Sequence, residues 1–281
     1  MLKAIIRLLR PRQWIKNGFV LAPLLFSGAF VAPDLLIQAL SAAVLFCLVS
    51  SAAYIVNDLR DVAQDRLHPV KSRRRPLANG ELTPAVAVSV CVALLLVVGV
   101  VGLLLNPRLL LVLLGYFGLM LAYSYVLKYQ PVLDIFTIAL GFVMRIYAGA
   151  VAIDVQVSAW MFVTTLSLAL YLAAIKRRQE FRHGNETRTV LAHYSETLVQ
   201  RYAEMAGSGA LVFYSLFVVS ERQELIATVP LVLYGLFRYW YVVEILDAGE
   251  SPADVLFKDW QLALVVVLWI AIAMYTMRAL H

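Results

Sequence analysis

Runs of about 20 apolar residues recur along this chain of 281 residues. A helix of roughly that length crosses a hydrocarbon core about 30 Å thick, and none of the runs has the alternation of a barrel strand. Charged residues make up only 15% of the chain, whereas soluble domains contain roughly a quarter. We therefore predict an all-α, polytopic membrane protein and exclude a soluble globular domain.

Nine candidate spans are centred near residues 24, 46, 93, 116, 142, 167, 212, 236 and 269. If the N-terminus lies in the cytoplasm, 19 of the 24 Lys and Arg residues fall on the cytoplasmic side, three fall on the opposite side and two lie within spans. Positively charged segments resist translocation across a membrane. The bias therefore predicts a multi-pass protein of the cell (inner or plasma) membrane, with its N-terminus and its large polar segments in the cytoplasm.

The chain is predicted to form one integral membrane domain over residues 1–281, because no linker or low-complexity tract divides it. Residues 1–14 begin with three cations at helical spacing, Lys3, Arg7 and Arg10, opposite apolar side chains. This pattern predicts a short amphipathic helix on the membrane surface. The same residues would also serve as a topology signal.

The most charged stretch, NDLRDVAQDRLHPVKSRRRP at residues 57–76, follows the second predicted span. If the helix continues out of the membrane, Asp58, Asp61 and Asp65 share one face, with Asn57 beside them. Three carboxylates on one face repel each other, and a divalent cation relieves that repulsion. Carboxylate and amide oxygens suit Mg²⁺, which keeps some waters and shares other positions with phosphate. We predict a Mg²⁺ site at Asn57, Asp58 and Asp61, with Mn²⁺ as a substitute ion.

Cations follow these acidic residues within a few positions. Pro69 and Pro76 break the helix, so the pattern predicts a loop that folds back over the metal site. Arginine forks and lysine ammonium groups donate hydrogen bonds to phosphate oxygens. The predicted phosphate ligands in this stretch are Arg66, Lys71, Arg74 and Arg75. The alternative is a loop that serves only topology, but topology has little use for acids in register on one face.

A second charged stretch, AIKRRQEFRHGNETR at residues 174–188, follows the sixth span on the same side of the membrane. Lys176, Arg177 and Glu180 continue a helix out of the bilayer. On these residues alone, a substrate site and a stop-transfer cluster are equally good interpretations.

Other polar residues lie inside the spans or at their edges. Arg145 is near the middle of the fifth span, where a charge costs at least about 2.5 kcal/mol and usually faces a cavity or a partner on a neighbouring helix. Lys16 and Asn17 fall just inside the first apolar run, where a lysine can also snorkel to the interface. Tyr123 and Lys128 close the fourth span. Four acidic residues near the last polar segment are spaced too loosely for an ion site and are interpreted as solvated charges: Glu244, Asp247, Asp254 and Asp259.

Together these motifs resemble the UbiA superfamily of intramembrane prenyltransferases. The likeness to the superfamily lies in N-D-x-x-D-x-x-x-D at 57–65, closed by Arg75 and Pro76 before Gly80. It extends from about residue 3 to the last span. Three further motifs resemble the polyprenyl-phosphate (decaprenyl-phosphate) phosphoribosyltransferase branch: RPRQWIKN at 10–17, YSYVLK at 123–128 and Lys-Arg-x-x-Glu at 176–180.

The resemblance implies a nine-helix bundle with a cytoplasmic active-site cap and a central cavity open to lipid. It also implies Mg²⁺-assisted transfer of 5-phosphoribosyl from 5-phosphoribosyl 1-diphosphate (PRPP) to a polyprenyl phosphate. The catalytic residues that the resemblance implies are Asp58, Asp61 and Asp65. The predicted ligands of PRPP and its phosphates are Asn57, Arg66, Lys71, Arg74, Arg75, Tyr123, Lys128, Lys176, Arg177 and Glu180. The predicted contacts of the lipid phosphate or the cavity are Lys16, Asn17 and Arg145.

Two other functions stay open at this point. Aromatic prenyltransferases of the superfamily use a prenyl diphosphate and carry a second aspartate-rich motif, where this chain has Lys176 and Arg177. Cations at that position favour direct binding of additional phosphate groups, and hence PRPP. A transporter of anionic lipids or metabolites could use Arg145 as part of its pathway, but transport gives no reason for metal-spaced aspartates. The predicted partners are the two substrates and the lipid bilayer, without nucleic acid, and no oligomeric state is assigned.

Overall fold

The computed structural model describes residues 1–182, 189–246, 255–256 and 258–278, and within these ranges it contains helices and no strand. The α-helices are α1 (Leu2–Leu9), α2 (Ala22–Phe26), α3 (Pro33–Leu67), α4 (Lys71–Arg74), α5 (Pro84–Leu105), α6 (Pro107–Tyr125), α7 (Leu133–Ala152), α8 (Ala159–Arg182), α9 (Glu196–Glu221), α10 (Val229–Ile245) and α11 (Trp260–Arg278). Shorter 3₁₀ helices lie at Pro11–Leu21, Ala29–Val31, Leu127–Tyr129, Thr189–His193 and Gln223–Thr228. Residues 183–188 of the second charged stretch, Asp247 and Asp254 lie outside the described residues.

Eight helical stretches in the described part of the chain are long and apolar enough to cross a membrane. They are α3, α5, α6, α7, α8, α9, the stretch Gln223–Ile245 and α11. Each contains one of the eight centres predicted from residue 46 onward. The prediction of an all-helical integral membrane protein is confirmed.

The first predicted span, centred near residue 24, is a broken segment rather than one long helix. It consists of a 3₁₀ helix, the five-residue α2 and a second 3₁₀ turn. Pro23 lacks the backbone N–H that would continue the preceding helix, and Gly28 takes a positive φ of 71° after α2. In the described ranges the bundle therefore has eight long helices and this broken segment, where nine spans were expected.

The broken segment packs closely against α7. A Cβ atom added to Gly149 would lie only 1.8 Å from the carbonyl oxygen of Val20. Any side chain at Gly149 would therefore push the two backbones apart. On the other side, Val20 joins a buried cluster that includes Phe46 of α3 and Leu113 of α6.

The length of α3 sets the position of the charged residues. Its 35 residues extend about 52 Å at 1.5 Å per residue, which exceeds a hydrocarbon core of roughly 30 Å. Its last turns, with Asn57 to Asp65, can therefore project beyond the apolar part of the bundle. Near this end, α1 buries Leu8 against a cluster that contains Ile55 and Leu82, while Leu2 stays exposed. The position of residues 1–14 on the membrane surface stays a prediction.

Candidate active site

Charged residues from four parts of the chain meet at one end of the bundle, which we call the polar end. Asp61 on α3 lies 2.5 Å from the Lys128 amine, which belongs to the connection between α6 and α7. Asp134 at the start of α7 lies 2.7 Å from Arg177 Nε on α8. The polar end therefore contains residues of both charged stretches singled out in the sequence, the second through its described part.

Each of the three predicted catalytic carboxylates is paired with a cation. Asp58 is only 2% exposed and contacts Arg75 Nη1 at 2.9 Å. The same guanidinium contacts Asp65, whereas Asp61 is paired with Lys128. Arg75 reaches α3 because the chain turns back after Leu67, as the two prolines indicate.

Arg10 is a member of this site that sequence reasoning missed. Its guanidinium contacts Asp58 and lies 5.0 Å from the centre of the Tyr54 ring. The residue ends α1 with a left-handed backbone, φ 56°, immediately before Pro11. The sequence pattern assigned it to the membrane surface. The one sign in the sequence was that Arg10 lies between the end of a helix and Pro11, where the direction of the chain changes.

The connection between α6 and α7 approaches the acidic turn of α3 from the other side. Lys128 is 6% exposed, and its amine lies 5.3 Å from the centre of the Tyr129 ring. Ser124 donates a hydrogen bond of 3.4 Å to the side-chain oxygen of Asn57. The structure thus places the predicted residues Asn57 and Lys128 beside the aspartates.

Arg177 is buried, with 1% of its surface exposed. Its guanidinium donates to Asp134 at 2.7 Å, to the Tyr123 hydroxyl at 3.3 Å and to Glu180. These partners belong to three different helices or their ends. Because the side chain is buried, a direct contact between this arginine and a substrate phosphate, as the sequence predicts, would require the surrounding side chains to move.

Tyr194 extends the same buried network to a turn. Its hydroxyl donates to Asp134 Oδ1 at 2.7 Å and accepts the backbone N–H of Val132 at 2.5 Å. Burial and the hydrogen bond to Asp134 raise the pKa of Tyr194 above its ordinary value. The phenol therefore remains protonated at neutral pH. No motif in the sequence marks this residue.

The other predicted phosphate ligands lie at the edge of the polar end. Lys176 is half-buried, and its amine lies 3.9 Å from Glu180. Lys71 is half-buried on α4, whereas Arg74 is exposed. Arg66 is exposed on α3 itself rather than on the loop that was predicted to carry it.

The predicted cavity residues Asn17 and Arg145 form an internal network. Arg145 is 4% exposed, and its Nε donates to Asn17 Oδ1 at 2.9 Å. Asn17 in turn donates to Ser50 at 3.1 Å. The remaining contacts of the Arg145 guanidinium are Gly141 O, the Tyr116 hydroxyl and the rings of Phe46, Tyr116 and Phe142. Lys16 is half-buried next to Asn17. A contact of these three residues with lipid phosphate stays a prediction.

The described members of the last acidic group are paired with cations. Glu244 contacts Arg178, and Asp259 lies 2.7 Å from Arg238. The hydrogen bond from Arg238 holds the pKa of Asp259 below its ordinary value. These two acids are therefore partners in ion pairs rather than the solvated charges that the sequence suggested.

The donors on α3 suit a hard divalent cation that is completed by substrate. Asn57, Asp58 and Asp61 supply amide and carboxylate oxygens within two helical turns. Among the described residues, no three Asp, Glu, His or Cys side chains are grouped closely enough to hold a metal ion alone. Mg²⁺ usually takes one or two carboxylates, several waters and substrate phosphates, so the donor set fits it.

Comparison with known proteins shows which family this chain matches. The UbiA prenyltransferase family matches residues 19–260. The chain is 32% identical to a decaprenyl-phosphate phosphoribosyltransferase of Mycolicibacterium smegmatis, over 96% of this chain and 91% of the relative. It is 34% identical to a decaprenyl-phosphate phosphoribosyltransferase of Mycobacterium tuberculosis, over 95% of this chain and 92% of the relative.

A solved structure has the same fold. The structure is of a UbiA homolog from Archaeoglobus fulgidus bound to GPP and Mg²⁺, with a TM-score of 0.74. The likeness covers 98% of this chain and 99% of the other at 20% sequence identity. It therefore concerns the arrangement of the helices along the whole chain.

Proposed function

The chain belongs to the UbiA prenyltransferase family, and we propose that it transfers 5-phosphoribosyl from PRPP to a polyprenyl phosphate and releases diphosphate. The observation that carries this proposal is the near full-length similarity to two decaprenyl-phosphate phosphoribosyltransferases. That similarity includes both charged stretches of the polar end. In the second stretch, the half-buried Lys176 suits a donor with several phosphates, whereas Arg177 is engaged in the buried ion pair with Asp134.

The chemistry needs stabilisation of a leaving diphosphate. As the bond between C1 of the ribose and the diphosphate oxygen breaks, negative charge grows on the leaving group. Arg75 and Arg10, both in contact with Asp58, lie where they can donate hydrogen bonds to that charge. Mg²⁺, held by Asn57, Asp58 and Asp61, would supply further positive charge at the same place.

The acceptor completes the reaction from the opposite face of the ribose. A lipid phosphate oxygen forms the new bond to C1, and the electron pair of the broken bond leaves with diphosphate. A phosphate monoester is already anionic near neutral pH, so no side chain has to remove a proton. We assign orientation of the ribose hydroxyls to either Asp65 or Glu180. Each is held by an arginine in the structure, Asp65 by Arg75 and Glu180 by Arg177.

The apolar helices suit the isoprenoid tail of the acceptor, which can remain in the bilayer while its phosphate reaches the polar end. The excess of Lys and Arg in the connections at the polar end supports a cytoplasmic orientation for this site. PRPP is a soluble, highly charged donor. A site on the aqueous cytoplasmic side would receive it without transport across the membrane.

Purified protein with Mg²⁺, PRPP and decaprenyl phosphate is expected to yield a phosphoribosylated lipid, detected by mass spectrometry. Addition of EDTA should stop product formation, and excess Mg²⁺ should restore it. Product formation with Mn²⁺ in place of Mg²⁺ would test whether Mn²⁺ can substitute. Turnover of a prenyl diphosphate with a hydroxybenzoate, and none with PRPP, would instead establish an aromatic prenyltransferase. Flux of an unmodified anionic lipid or metabolite across liposomes, again without reaction of PRPP, would establish a transporter.

Arg10→Gln is expected to raise the KM for PRPP on the order of tenfold. The substitution removes one charged donor beside the diphosphate, and a hydrogen bond to a charged group contributes about 1.5–3 kcal/mol. Steady-state rates at varied PRPP concentration measure the effect. Arg12→Gln is the matched control, because Arg12 is exposed two residues further along. Equal KM values for the two variants would place Arg10 outside the donor site.

A further inference from the structure

We propose that Tyr194 is a positioning residue for this reaction: its hydroxyl holds the turn between α6 and α7, and that turn presents Lys128 to Asp61. The kinetic part of this inference rests on the proposed function, whereas the structural part does not. Four observations support it: a valine with a positive φ, a tyrosine hydroxyl that bridges two groups, the burial of that tyrosine, and an ion pair.

The turn ends in an unfavourable backbone conformation. Val132 has φ 68° and ψ −47°, in the region where a β-branched residue is an outlier. Val132 is also the residue that precedes the first turn of α7, so its φ and ψ set the direction in which α7 leaves the turn. Such a conformation persists only where surrounding contacts hold it.

Besides the local hydrogen bond from Leu133 N–H to Pro131 O at 2.8 Å, Val132 has a contact from a distant part of the chain. Its backbone N–H donates to the Tyr194 hydroxyl at 2.5 Å. The two residues are separated by 62 positions, and Tyr194 lies between the 3₁₀ helix Thr189–His193 and α9. A phenylalanine at this position would keep the ring and lose the acceptor.

Tyr194 is itself fixed on both sides. The residue is 7% exposed and packs in a buried cluster with Val190 and Val199. Its hydroxyl donates to Asp134, which is fully buried and paired with Arg177. The hydroxyl therefore connects a rigid ion pair to the backbone of the turn.

Lys128 is the residue through which the turn acts on the site. It lies four positions before Val132, and its amine is 2.5 Å from Asp61. If the turn relaxes, Lys128 moves relative to Asp61, which we assign to the Mg²⁺ and donor site. Tyr194 would thus influence the reaction without touching a substrate.

The experiment compares Tyr194→Phe with Tyr202→Phe. Tyr202 is a half-buried tyrosine on α9 that packs against the same cluster, so it controls for loss of a hydroxyl in this region. Hydrogen exchange of the peptide that covers residues 126–134, read by mass spectrometry, reports the turn directly. We expect Tyr194→Phe to accelerate this exchange and to lower kcat/KM for PRPP about tenfold, with little change in Tyr202→Phe.

Val132→Gly in the Tyr194→Phe background is the decisive variant. Glycine adopts a positive φ without a Cβ clash, so it should recover most of the lost kcat/KM. Unchanged exchange of the turn in Tyr194→Phe, or a loss of activity that Val132→Gly does not reverse, would overturn the inference. If the wild type forms no phosphoribosylated lipid, the proposed function fails, and hydrogen exchange alone then decides whether Tyr194 holds the turn.

Discussion

Asp58→Asn is expected to reduce phosphoribosyl transfer by at least about 100-fold, the scale on which loss of one group that stabilises transition-state charge is felt. The substitution preserves side-chain size and removes the negative charge. The Asp58 carboxylate is the proposed ligand of Mg²⁺ and the ion-pair partner of both Arg10 and Arg75. Initial rates with saturating PRPP and decaprenyl phosphate measure the loss.

Asp34→Asn is the matched control for this prediction. Asp34 is an exposed aspartate in the first turn of the same helix, at the opposite end from Asp58. We expect its variant to retain wild-type rates and the wild-type dependence on Mg²⁺. Near wild-type turnover by Asp58→Asn would remove this aspartate from the reaction centre.

Arg177→Met should lower the free energy of unfolding by about 3–5 kcal/mol, because it leaves a buried carboxylate without its cation. Asp134 is fully buried and has Arg177 as its ion-pair partner at 2.7 Å. Methionine fills a similar length and carries no charge. The apparent Tm of the purified protein in detergent, followed by intrinsic fluorescence, should fall clearly below that of the wild type.

Two variants separate the buried pair from a general effect of lost charge. Arg182→Met removes a cation from the same helix, but Arg182 is 40% exposed and pairs with partly exposed acids, so we expect a cost under about 1 kcal/mol. Asp134→Asn combined with Arg177→Met removes both charges and should recover part of the stability. If Arg177→Met and Arg182→Met lowered the Tm equally, the buried pair would not be the source.

The membrane spans could be predicted from the sequence because hydrophobic length alone determines which helices cross a bilayer. The broken first segment could not, because hydropathy measures apolar content and not backbone regularity. Residues 14–31 are as apolar as a span, but Pro23 and Gly28 divide them into short helices. The close approach of Val20 to Gly149 packs this broken segment against α7.

The acidic face of α3 was also predictable, since Asp58, Asp61 and Asp65 follow the helical period. The partners of these acids were predictable only in part. Arg75 follows nearby in the chain, whereas the pairing of Arg10 with Asp58 joins residues 48 positions apart. A contact of this kind depends on how helices pack, which a local pattern does not contain.

Arg177 illustrates the same limit for a single residue. A cation at the end of a span resembles a solvated topology signal, and its burial follows from Asp134, 43 positions earlier. No local pattern predicts the role of Tyr194, because that role depends on a hydrogen bond with a backbone N–H 62 positions away. The sequence therefore indicated which stretches meet at the polar end, and the structure distinguished the residues that support it.

The long separations between ion-pair partners have a consequence for biosynthesis. A chain inserted during translation emerges from its N-terminus, so Arg10 is available before Asp58, and Arg75 follows soon after. Asp61 must wait 67 residues for Lys128, and Asp134 must wait 43 residues for Arg177. Asp58 and Asp65 on α3 can thus be neutralised early in synthesis by Arg10 and Arg75. The half of the polar end that is formed by α7 and α8 is completed only when the fifth of the eight long helices in the described residues, α8, has begun to emerge.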